Sequence, residues 1–288
     1  MRSLPPKSPA ESESSVVAST TKSLIGEVST NRDGGHISEP SSQAALVASD
    51  VTFAYGMGPA VVKNVTLTIP EGAAIGIVGE SGSGKTTLAS LLVGMLLATT
   101  GTVTVRGRPW SAVRRRDPLR RAVQMVFQNP YSALNPRLSA LSTVAEVYQC
   151  CSGATKADAA KRARILLDRV GISRVALDKR PCDLSGGQCQ RVGIARALAA
   201  NPSVIVADEP TSALDVSVQA QILNLLKDLR HEQGVALVLI SHDLNVVSYL
   251  TERAIVMEKG VVVEEGLTTD LLQSPAHHYT RSLIASIL

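Results

Sequence analysis

Short apolar runs, many of them rich in β-branched residues, recur along the chain from Ala45 onward and predict buried strands. Between these runs, apolar residues spaced three to four positions apart predict helices. The predicted strands cover residues 46–53, 61–69, 73–78, 102–105, 123–127, 203–207, 235–240, 253–257 and 261–263. The predicted helices cover residues 88–93, 139–179, 192–198 and 216–232, and two short helices follow the last strand.

The first 44 residues lack this pattern, because Ser, Thr, Pro and charged residues dominate them. Such a composition is typical of disordered segments. Pro5, Pro6, Glu11 and Glu13 occupy the place where a secretory signal has its apolar segment. The sequence therefore predicts a disordered Ser/Pro-rich tail at residues 1–44 and one folded domain at residues 45–288.

Composition and charge exclude some classes of protein. The chain of 288 residues can bury a sizeable core, and its net charge of +4 is too small to indicate nucleic acid by itself. The arginine cluster at residues 114–121 has no interleaved aromatic residue, which favours a solvated surface. No apolar run approaches the roughly 20 residues that cross a bilayer, so a membrane role requires another chain. The four cysteines form no C-x-x-C pair, which favours reduced thiols in a cytosolic protein.

The strongest single motif is G-x-x-x-x-G-K-[ST] at residues 79–86, between an apolar strand and a predicted helix. Its glycines let backbone N–H groups curl around a phosphate at the positive end of the helix. The ammonium group of Lys85 can reach the β- and γ-phosphates, and the hydroxyl group of Thr86 can bind Mg²⁺. The alternative is a glycine-rich turn that binds nothing. The motif consists of Gly79, Glu80, Ser81, Gly82, Ser83, Gly84, Lys85 and Thr86.

Further candidate residues follow other predicted strands. Asp208 suits a magnesium ligand and Glu209 a general base, the alternative being a solvent-facing acidic turn. Adjacent strand residues point to opposite faces, so we expect one of the two to leave the strand, helped by Pro210. His242 follows a core strand at the edge where α/β sheets bind ligands. Tyr55 follows the first strand, where an aromatic ring can stack on a base or simply end the strand.

Taken in order, these motifs resemble those of the nucleotide-binding subunit of an ABC transporter, over residues 45–288. The six matching segments are the Walker A loop at 79–86, the Q-loop Gln128, the signature at 184–188, the Walker B run ending in Asp208 and Glu209, the D-loop at 212–215 and the switch His242. The resemblance implies an α/β P-loop nucleotide-hydrolase core with a mixed sheet, an antiparallel β subdomain and an α-helical subdomain at about residues 129–190.

The resemblance also implies a head-to-tail dimer and an active ATPase, because every catalytic position holds its usual residue. Two ATP molecules lie at the dimer interface, each between Walker A of one subunit and the signature of the other. The implied catalytic residues are Glu209, His242, Gln128 and Lys85, and the implied Mg²⁺ ligands are Thr86, Gln128 and Asp208. The implied ATP-binding residues are Tyr55, Gly79, Ser81, Gly82, Ser83, Gly84, Lys85, Thr86, Thr87, Ser185, Gly186, Gly187 and Gln188.

Three segments, at residues 128–137, 212–222 and 274–280, are similar to those of peptide and nickel import ATPases. Two positions depart from the family pattern. Cys189 stands where an arginine commonly follows the signature, a change that we expect to alter the dimer interface modestly. His278 replaces a usual proline and is expected to be peripheral. Some relatives bind an iron–sulfur cluster through cysteines beyond this terminus, and we expect no cluster here.

The resemblance implies partners and a place of action. The expected partners are integral membrane transporter subunits, a second ATP-binding subunit in a homodimer or heterodimer, and indirectly a substrate-binding protein, but no nucleic acid. The expected location is the cytoplasmic face of the cell membrane. Between Pro130 and Pro136 we predict a non-helical connection, with Tyr131 and Leu134 exposed to receive a short helix of a membrane subunit.

The transported substrate stays open at this point. An importer of di- or oligopeptides is the main interpretation, and a nickel, drug or glutathione system is the second. A soluble ABC protein that acts on DNA or the ribosome is the third. It is disfavoured because the segment between Gln128 and Ser185 is compact and the chain carries one cassette.

Overall fold

The computed structural model describes residues 44–212 and 214–286. The tail predicted at residues 1–44 therefore lies outside the described residues, except for Ala44, which begins the first strand. The strands are β1 (Ala44–Ala54), β2 (Ala60–Pro70), β3 (Ala74–Val78), β4 (Thr100–Val105), β5 (Arg108–Pro109), β6 (Val123–Val126), β7 (Val204–Asp208), β8 (Ala236–Ser241), β9 (Arg253–Glu258) and β10 (Val261–Leu267). The helices are α1 (Lys85–Leu92), α2 (Pro130–Ala133), α3 (Ala140–Ser152), α4 (Lys156–Arg169), α5 (Gly186–Ala199), α6 (Val216–Gln233), α7 (Leu244–Leu250), α8 (Thr268–Gln273) and α9 (His278–Ala285).

The strands form two sheets, as the predicted fold class requires. The first is antiparallel, in the order β2-β1-β4-β5. The second is mixed, in the order β10-β9-β3-β8-β7-β6, and only the β9–β10 pair in it is antiparallel. In β3, β7 and β8 every residue is buried, because helices or the other sheet cover both faces. This explains why their sequences are continuous apolar runs.

The alternation of side chains along β7 determines what each face of the mixed sheet packs against. Val204 and Val206 belong to the core that includes α1 and the antiparallel sheet. Ile205 and Ala207 belong to the core that includes α3, α4 and α5. Because the period is two residues, Asp208 at the end of β7 falls on the α1 side. The sheet thus brings this carboxylate toward the helix that follows the phosphate loop.

The region predicted as helical over residues 139–179 is divided into α3, α4 and a short 3₁₀ turn at Arg174–Ala176. Gly153, with a φ of 65°, ends α3 in a left-handed conformation that suits glycine. The hydroxyl group of Thr155 then accepts the backbone N–H of Asp158 and caps α4. The division therefore follows from two local signals within three residues.

The prediction of a non-helical path after Gln128 is wrong, because residues 130–133 form the one-turn helix α2. Pro130 is the first helical residue, a position where the missing N–H of proline costs nothing. The side chain of Asn129 accepts the N–H groups of Tyr131 and Ser132, at 3.0 and 3.3 Å, and caps the turn. Leu134 is 4% exposed, so the prediction that it is an exposed anchor is wrong too, whereas Tyr131 is 47% exposed.

Trp110 attaches the C-terminal end of α1 to the segment that follows β5. Its indole Nε1 donates to the carbonyl oxygen of Leu92 at 2.9 Å, and its ring is almost fully buried. A Cβ atom at Gly94 would lie 2.6 Å from the ring, so this close approach requires glycine. On another side, the guanidinium group of Arg120 lies 5.5 Å from the ring centroid. Since α1 begins at the phosphate loop, Trp110 helps to hold that loop's supporting helix in place.

We expect Trp110→Ala to lower the free energy of unfolding by about 3–5 kcal/mol, because it removes a large buried ring and an indole hydrogen bond. Urea unfolding followed by far-UV circular dichroism measures this change. Val175→Ala, at an exposed apolar position, is the control and should change the free energy by at most about 0.5 kcal/mol. A loss below about 1 kcal/mol for Trp110→Ala would mean that the ring does not secure α1.

Candidate active site

The candidate active site lies where the carboxyl ends of four parallel strands meet at one edge of the mixed sheet. The loop at residues 79–84 follows β3, and Gln128 lies two residues after β6. Asp208 is the last residue of β7, Glu209 comes directly after it, and His242 comes directly after β8. In open α/β sheets this edge is where ligands bind. The sheet order therefore gathers residues that are more than 150 positions apart in sequence into one site.

The phosphate loop, residues 79–86, has a backbone conformation that depends on glycine. Gly84, the residue before α1, has a φ of 100°, and a Cβ atom there would lie 2.7 Å from the carbonyl oxygen of Val61. The N–H of Gly260 donates to the carbonyl oxygen of Ser83 at 2.9 Å. The hydroxyl oxygen of Ser83 is buried and has no hydrogen-bond partner among the described residues. The loop thus presents a buried polar atom that is free to bond to a ligand.

Lys85 is the first residue of α1, and its side chain folds back across the phosphate loop. Its Nζ atom donates to the carbonyl oxygens of Gly79 and Glu80, at 2.7 and 2.8 Å, and the residue is 5% exposed. Burial lowers the pKa of Lys85, while the nearby carboxylates of Glu209 and Asp208 act to raise it. An ammonium group has three donors, so one N–H remains for an anion.

Asp208 ends β7 as a buried carboxylate, with 2% of the residue exposed. Burial raises the pKa of Asp208, while the hydroxyl group of Thr86 and the charge of Lys85 act to lower it. The Oδ1 atom of Asp208 has no hydrogen-bond partner in the structure. A buried, unpartnered carboxylate oxygen next to a threonine hydroxyl group is a donor set that suits a divalent cation.

Glu209 leaves the line of β7 because its φ is 42°, in the left-handed region. Its N–H still donates to the carbonyl oxygen of Ile240 at 2.9 Å, so the backbone stays attached to β8. Its Oε2 atom accepts the Nε2 of Gln128 at 2.9 Å, and its Oε1 atom lies 3.3 Å from Nδ1 of His242. The turn at Glu209 therefore brings three candidate catalytic side chains together and separates this carboxylate from that of Asp208.

Tyr55 lies beside the start of α1, with its ring exposed. The ring packs edge-to-face against Phe53, with the two centroids 4.9 Å apart. The Tyr55 hydroxyl group is 3.3 Å from Oγ1 of Thr87, the residue after the phosphate loop. The exposed aromatic face is thus held close to the loop, which is the placement that base stacking needs.

The signature residues lie at the N-terminus of α5 and form a capping box. The hydroxyl oxygen of Ser185 accepts the N–H of Gln188 at 3.3 Å, and Oε1 of Gln188 accepts the N–H of Ser185 at 3.0 Å. A Cβ atom at Gly187 would lie 2.6 Å from Val218, and one at Gly186 would lie 3.3 Å from Leu214, so both glycines allow α5 to approach the start of α6.

The structure does not bring the signature to the phosphate loop of the same chain. Within residues 44–212 and 214–286, no hydrogen bond joins residues 185–188 to residues 79–86. The candidate site residues thus form two groups. One group gathers at the edge of the mixed sheet, and the other is presented by α5.

Two buried contacts of the site were not found by sequence reasoning. The hydroxyl oxygen of Tyr279, on α9, accepts the N–H of Glu80 in the phosphate loop at 3.0 Å. The Nε2 atom of Gln190, on α5, lies 3.5 Å from the carbonyl oxygen of Phe127, next to Gln128. Tyr279 lies in the segment 274–280 that resembles peptide import ATPases, but nothing local in that segment indicates a contact 199 positions away.

Cys189, which follows the signature, lies inside the fold. Its side chain is fully buried, and its Sγ atom lies 3.5 Å from the carbonyl oxygen of Pro181. Burial raises the pKa of the Cys189 thiol to about 11, so the group stays protonated at neutral pH. A buried neutral thiol contributes to the packing of α5, and the modest change expected at a dimer interface stays a prediction.

No described helix is both long enough and apolar enough to span a membrane. The family model described as ABC transporter matches residues 62–212. The oligopeptide transport ATP-binding protein OppF of Lactococcus lactis is 45% identical over 228 residues, which are 78% of this chain and 72% of that protein. OppF of Salmonella typhimurium is 40% identical over 229 residues, which are 78% of this chain and 69% of that protein.

Solved structures of ATP-binding cassettes have the same fold. The dimeric, post-hydrolysis structure of the cassette MJ0796 bound to ADP and Pi has a TM-score of 0.71 and 36% identity, and the match covers 77% of this chain and 98% of that chain. CbiO1 from Clostridium perfringens, part of the transporter complex cbiONQ, has a TM-score of 0.69 and 27% identity, over 81% of this chain and 92% of that chain. The predicted fold class is confirmed. The family match and the coverage of these relatives show that the chain belongs to the ATP-binding subunits of the ABC transporter family.

Proposed function

We propose that this chain is the ATP-hydrolysing subunit that energises an importer of di- and oligopeptides at the cytoplasmic face of the cell membrane. The relatives that carry the names of oligopeptide transport and peptide import ATP-binding proteins support the peptide assignment. For hydrolysis, the observation that supports the proposal most strongly is the carboxylate of Glu209. It is held by Gln128 and His242 at the same sheet edge as the buried Lys85.

ATP binding uses the phosphate loop and Tyr55. Backbone N–H groups of the loop and the N-terminus of α1 favour the phosphates, and the ring of Tyr55 stacks on adenine. Lys85 exchanges its bonds to two carbonyl oxygens for bonds to the β- and γ-phosphates. The other loop residues that take part are Gly79, Ser81, Gly82, Ser83, Gly84, Thr86 and Thr87.

The residues beside the phosphate loop fit a magnesium ion. The unpartnered Oδ1 atom of Asp208 and the neighbouring hydroxyl group of Thr86 are hard oxygen donors in a buried position. Gln128, whose side chain reaches Glu209 in this structure, is the third proposed ligand. A magnesium ion held by these residues would neutralise phosphate charge and so lower the barrier to phosphoryl transfer.

In the chemical step, Glu209 accepts a proton from the water that attacks the γ-phosphorus. The new P–O bond forms as the bond to the β-phosphate oxygen breaks, which gives ADP and phosphate. His242 holds one oxygen of Glu209 and contacts the γ-phosphate, while Lys85 balances the charge that develops on it. These groups act by position and charge, which supply most of the rate enhancement in phosphoryl transfer.

The signature supplies the missing half of each site from a second subunit. Ser185, Gly186, Gly187 and Gln188 stand at the positive end of α5 and have no bond to the phosphate loop of their own chain. A head-to-tail dimer places this end against the γ-phosphate of ATP bound to the partner. The similar cassette MJ0796, which is dimeric in its post-hydrolysis state with ADP and Pi, supports this arrangement.

The membrane partner docks on α2. Tyr131 is the exposed aromatic residue of this turn, and its hydroxyl group donates to the carbonyl oxygen of Leu184, the first residue of the signature, at 3.3 Å. A short helix of an integral membrane subunit seated on Tyr131 therefore contacts a residue that is bonded to the signature. This link couples closure of the ATP dimer to the membrane channel, and a separate binding protein delivers the peptide.

We expect Glu209→Gln to bind ATP but to hydrolyse it about 10²–10⁴-fold more slowly, because the amide cannot accept the proton of the attacking water. Phosphate release at saturating Mg–ATP measures the rate, and size-exclusion chromatography should show an ATP-bound dimer. Glu71→Gln, at an exposed turn outside the site, is the matched control and should retain the wild-type rate. Wild-type turnover in Glu209→Gln would contradict the general-base assignment.

Mixed dimers test whether the two groups of site residues act across subunits. We expect Ser185→Asp to abolish hydrolysis, because it retains a good N-cap residue but places a negative charge against the γ-phosphate of the partner's ATP. Lys85→Ala should be inactive because it loses the phosphate-binding ammonium group.

When the two inactive proteins are mixed, one site of each mixed dimer carries both substitutions and the other carries neither. ATPase activity should therefore return in part and should be highest at equal amounts. Mixed dimers are verified with two affinity tags. Mixed dimers that form without any recovery of activity would contradict shared sites.

Coupling to the membrane subunits is tested at Tyr131 in vesicles that contain the whole transporter. We expect Tyr131→Ala to reduce peptide uptake per ATP hydrolysed, because a buried aromatic anchor contributes roughly 2 kcal/mol or more to an interface. Tyr131→Phe retains the ring, so the membrane subunit should still bind, but it loses the hydroxyl bond to Leu184 and should therefore also lower the uptake per ATP hydrolysed. Leu134 is unsuitable for this test, because its truncation leaves a cavity in the core.

Two results would contradict different parts of the proposal. Normal coupling in Tyr131→Ala vesicles would exclude α2 as the docking site. Absence of peptide uptake by the wild-type transporter, with uptake of nickel, a drug or glutathione instead, would show that the peptide assignment is wrong while the ATPase assignment stands.

A further inference from the structure

Two adjacent histidines and a glutamate lie together where α9 begins beside the end of β9. His277 is the N-cap residue of α9, His278 is its first residue, and Glu258 is the last residue of β9. One candidate ligand atom from each residue lies within 4.8 Å of those of the other two. The rings of His277 and His278 are also close, with centroids 4.4 Å apart. Among the described residues, these three form the group of His, Cys, Asp or Glu side chains whose ligand atoms lie close enough together to hold a metal ion.

We propose that His277, His278 and Glu258 form a binding site for a transition-metal ion of the Zn²⁺ class. Two imidazole nitrogens and one carboxylate oxygen, with a water molecule as the fourth ligand, are a donor set that tetrahedral Zn²⁺ accepts. Imidazole donors favour Zn²⁺, Cu²⁺ or Ni²⁺ over Mg²⁺ and Ca²⁺, which prefer oxygen. The site is thus chemically distinct from the oxygen-rich Mg²⁺ position at Asp208.

The role of His277 in capping α9 does not explain the other two residues. A helix begins well with many residues at its first position, and proline is over-represented there because of its fixed φ. His278 is exposed and makes no capping bond through its ring, and histidine is a modest helix former. A metal ligand is a chemical reason for an imidazole at this position next to that of His277.

Metal binding requires two small local changes, and both are available. The Nζ atom of Lys259 lies 3.4 Å from Oε1 of Glu258, and this lysine side chain is almost fully exposed, so an ion can displace it. The Nδ1 atom of His277 accepts the N–H of Tyr279 at 3.3 Å, which places the ring proton on Nε2. When Nε2 binds a metal, the proton resides on Nδ1, and this capping bond is lost.

The start of α9 stays attached during these changes. The carboxylate of Glu264 accepts the N–H groups of Ala276 and His277, at 2.7 and 3.1 Å. On the α9 side these two bonds use only backbone N–H groups, so they leave both histidine rings free to turn. Glu264 therefore holds the backbone at the start of α9 in place while the side chains of His277 and His278 adjust to an ion.

Both sides of the proposed metal site contact the phosphate loop. Tyr279, the residue after His278, accepts the N–H of Glu80 at 3.0 Å through its hydroxyl oxygen. On the other side, Gly260 donates to the carbonyl oxygen of Ser83 at 2.9 Å, two residues after Glu258. An ion that draws α9 and β9 together therefore changes the position of the loop. This consequence rests on the proposed nucleotide-binding role of the loop, whereas the metal site itself does not.

The test is a Zn²⁺ titration of the full-length, metal-stripped protein by calorimetry, without nucleotide. We expect His278→Pro to weaken Zn²⁺ binding at this site. Loss of a residue that only supports a metal ligand costs roughly 10–100-fold in affinity, so loss of a ligand should cost at least as much. Proline suits the first position of α9, and an unchanged melting temperature verifies the fold. Glu258→Gln, which retains size but not charge, should weaken binding in the same direction, and Lys259→Ala should strengthen it because a competing cation is removed.

His231→Gln, on the exposed end of α6, is the matched control and should not change the titration. Co²⁺ distinguishes this site from the cysteines, because thiolate ligands give an intense near-ultraviolet absorption band that histidine and carboxylate ligands lack. Zn²⁺ binding of equal affinity and stoichiometry in wild type, His278→Pro and Glu258→Gln would overturn the proposal. A Co²⁺ complex with thiolate absorption as the only tight complex would overturn it too.

The link to the phosphate loop has a separate readout. One equivalent of Zn²⁺ should change the dissociation constant of a non-hydrolysable ATP analogue, measured with excess Mg²⁺, in wild type but not in His278→Pro. An unchanged constant in wild type, with Zn²⁺ bound, would contradict the link. Failure of the analogue to bind in the absence of Zn²⁺ would contradict the proposed function, and the Zn²⁺ titration would still decide the metal site.

Discussion

The arrangement of the site depends on keeping two adjacent carboxylates apart at the end of one strand. Asp208 stays on β7 and is buried on the side of α1, beside Thr86. Glu209 turns away with a φ of 42°, a conformation that costs on the order of 1–3 kcal/mol for a residue other than glycine. The turn brings Glu209 to Gln128 and His242 and leaves Asp208 beside Lys85. Two negative charges thereby acquire different neighbours and different chemistry.

At the same edge of the sheet, buried polar atoms lack a hydrogen-bond partner among the described residues. Lys85 is buried against two carbonyl oxygens, and Asp208 and Ser83 each have a buried oxygen without a partner. Such groups are destabilising unless something bonds to them. A phosphate chain with its cation satisfies the positive and the negative groups together. In the proposed function these groups bind a ligand of their own subunit, and the signature on α5 binds the ligand of another subunit.

Much of the fold could be predicted from the sequence, because the buried strands are continuous apolar runs and the glycine-rich loop is a specific motif between a strand and a helix. The exposure expected for Leu134 is wrong because the burial of this residue depends on packing against helices distant in sequence. The non-helical path predicted after Pro130 is wrong because proline is also suited to the first position of a helix, and the side chain of Asn129 caps the turn that begins there. The contact of Tyr279 with Glu80 spans 199 positions and has no local signal. The roles of the individual site residues in ATP binding and hydrolysis remain predictions that mutagenesis has to test.

The central claim is that one chain carries the phosphate, metal and base groups, and that a second chain completes each site. ATP turnover per subunit, measured for the isolated wild-type protein across a wide range of protein concentrations, tests this claim most directly. Sedimentation in parallel gives the fraction of dimer with ATP. The account predicts that turnover per subunit is negligible for the monomer, rises with concentration and levels off as the dimer becomes saturated. Constant turnover per subunit from the monomeric to the dimeric range would contradict it.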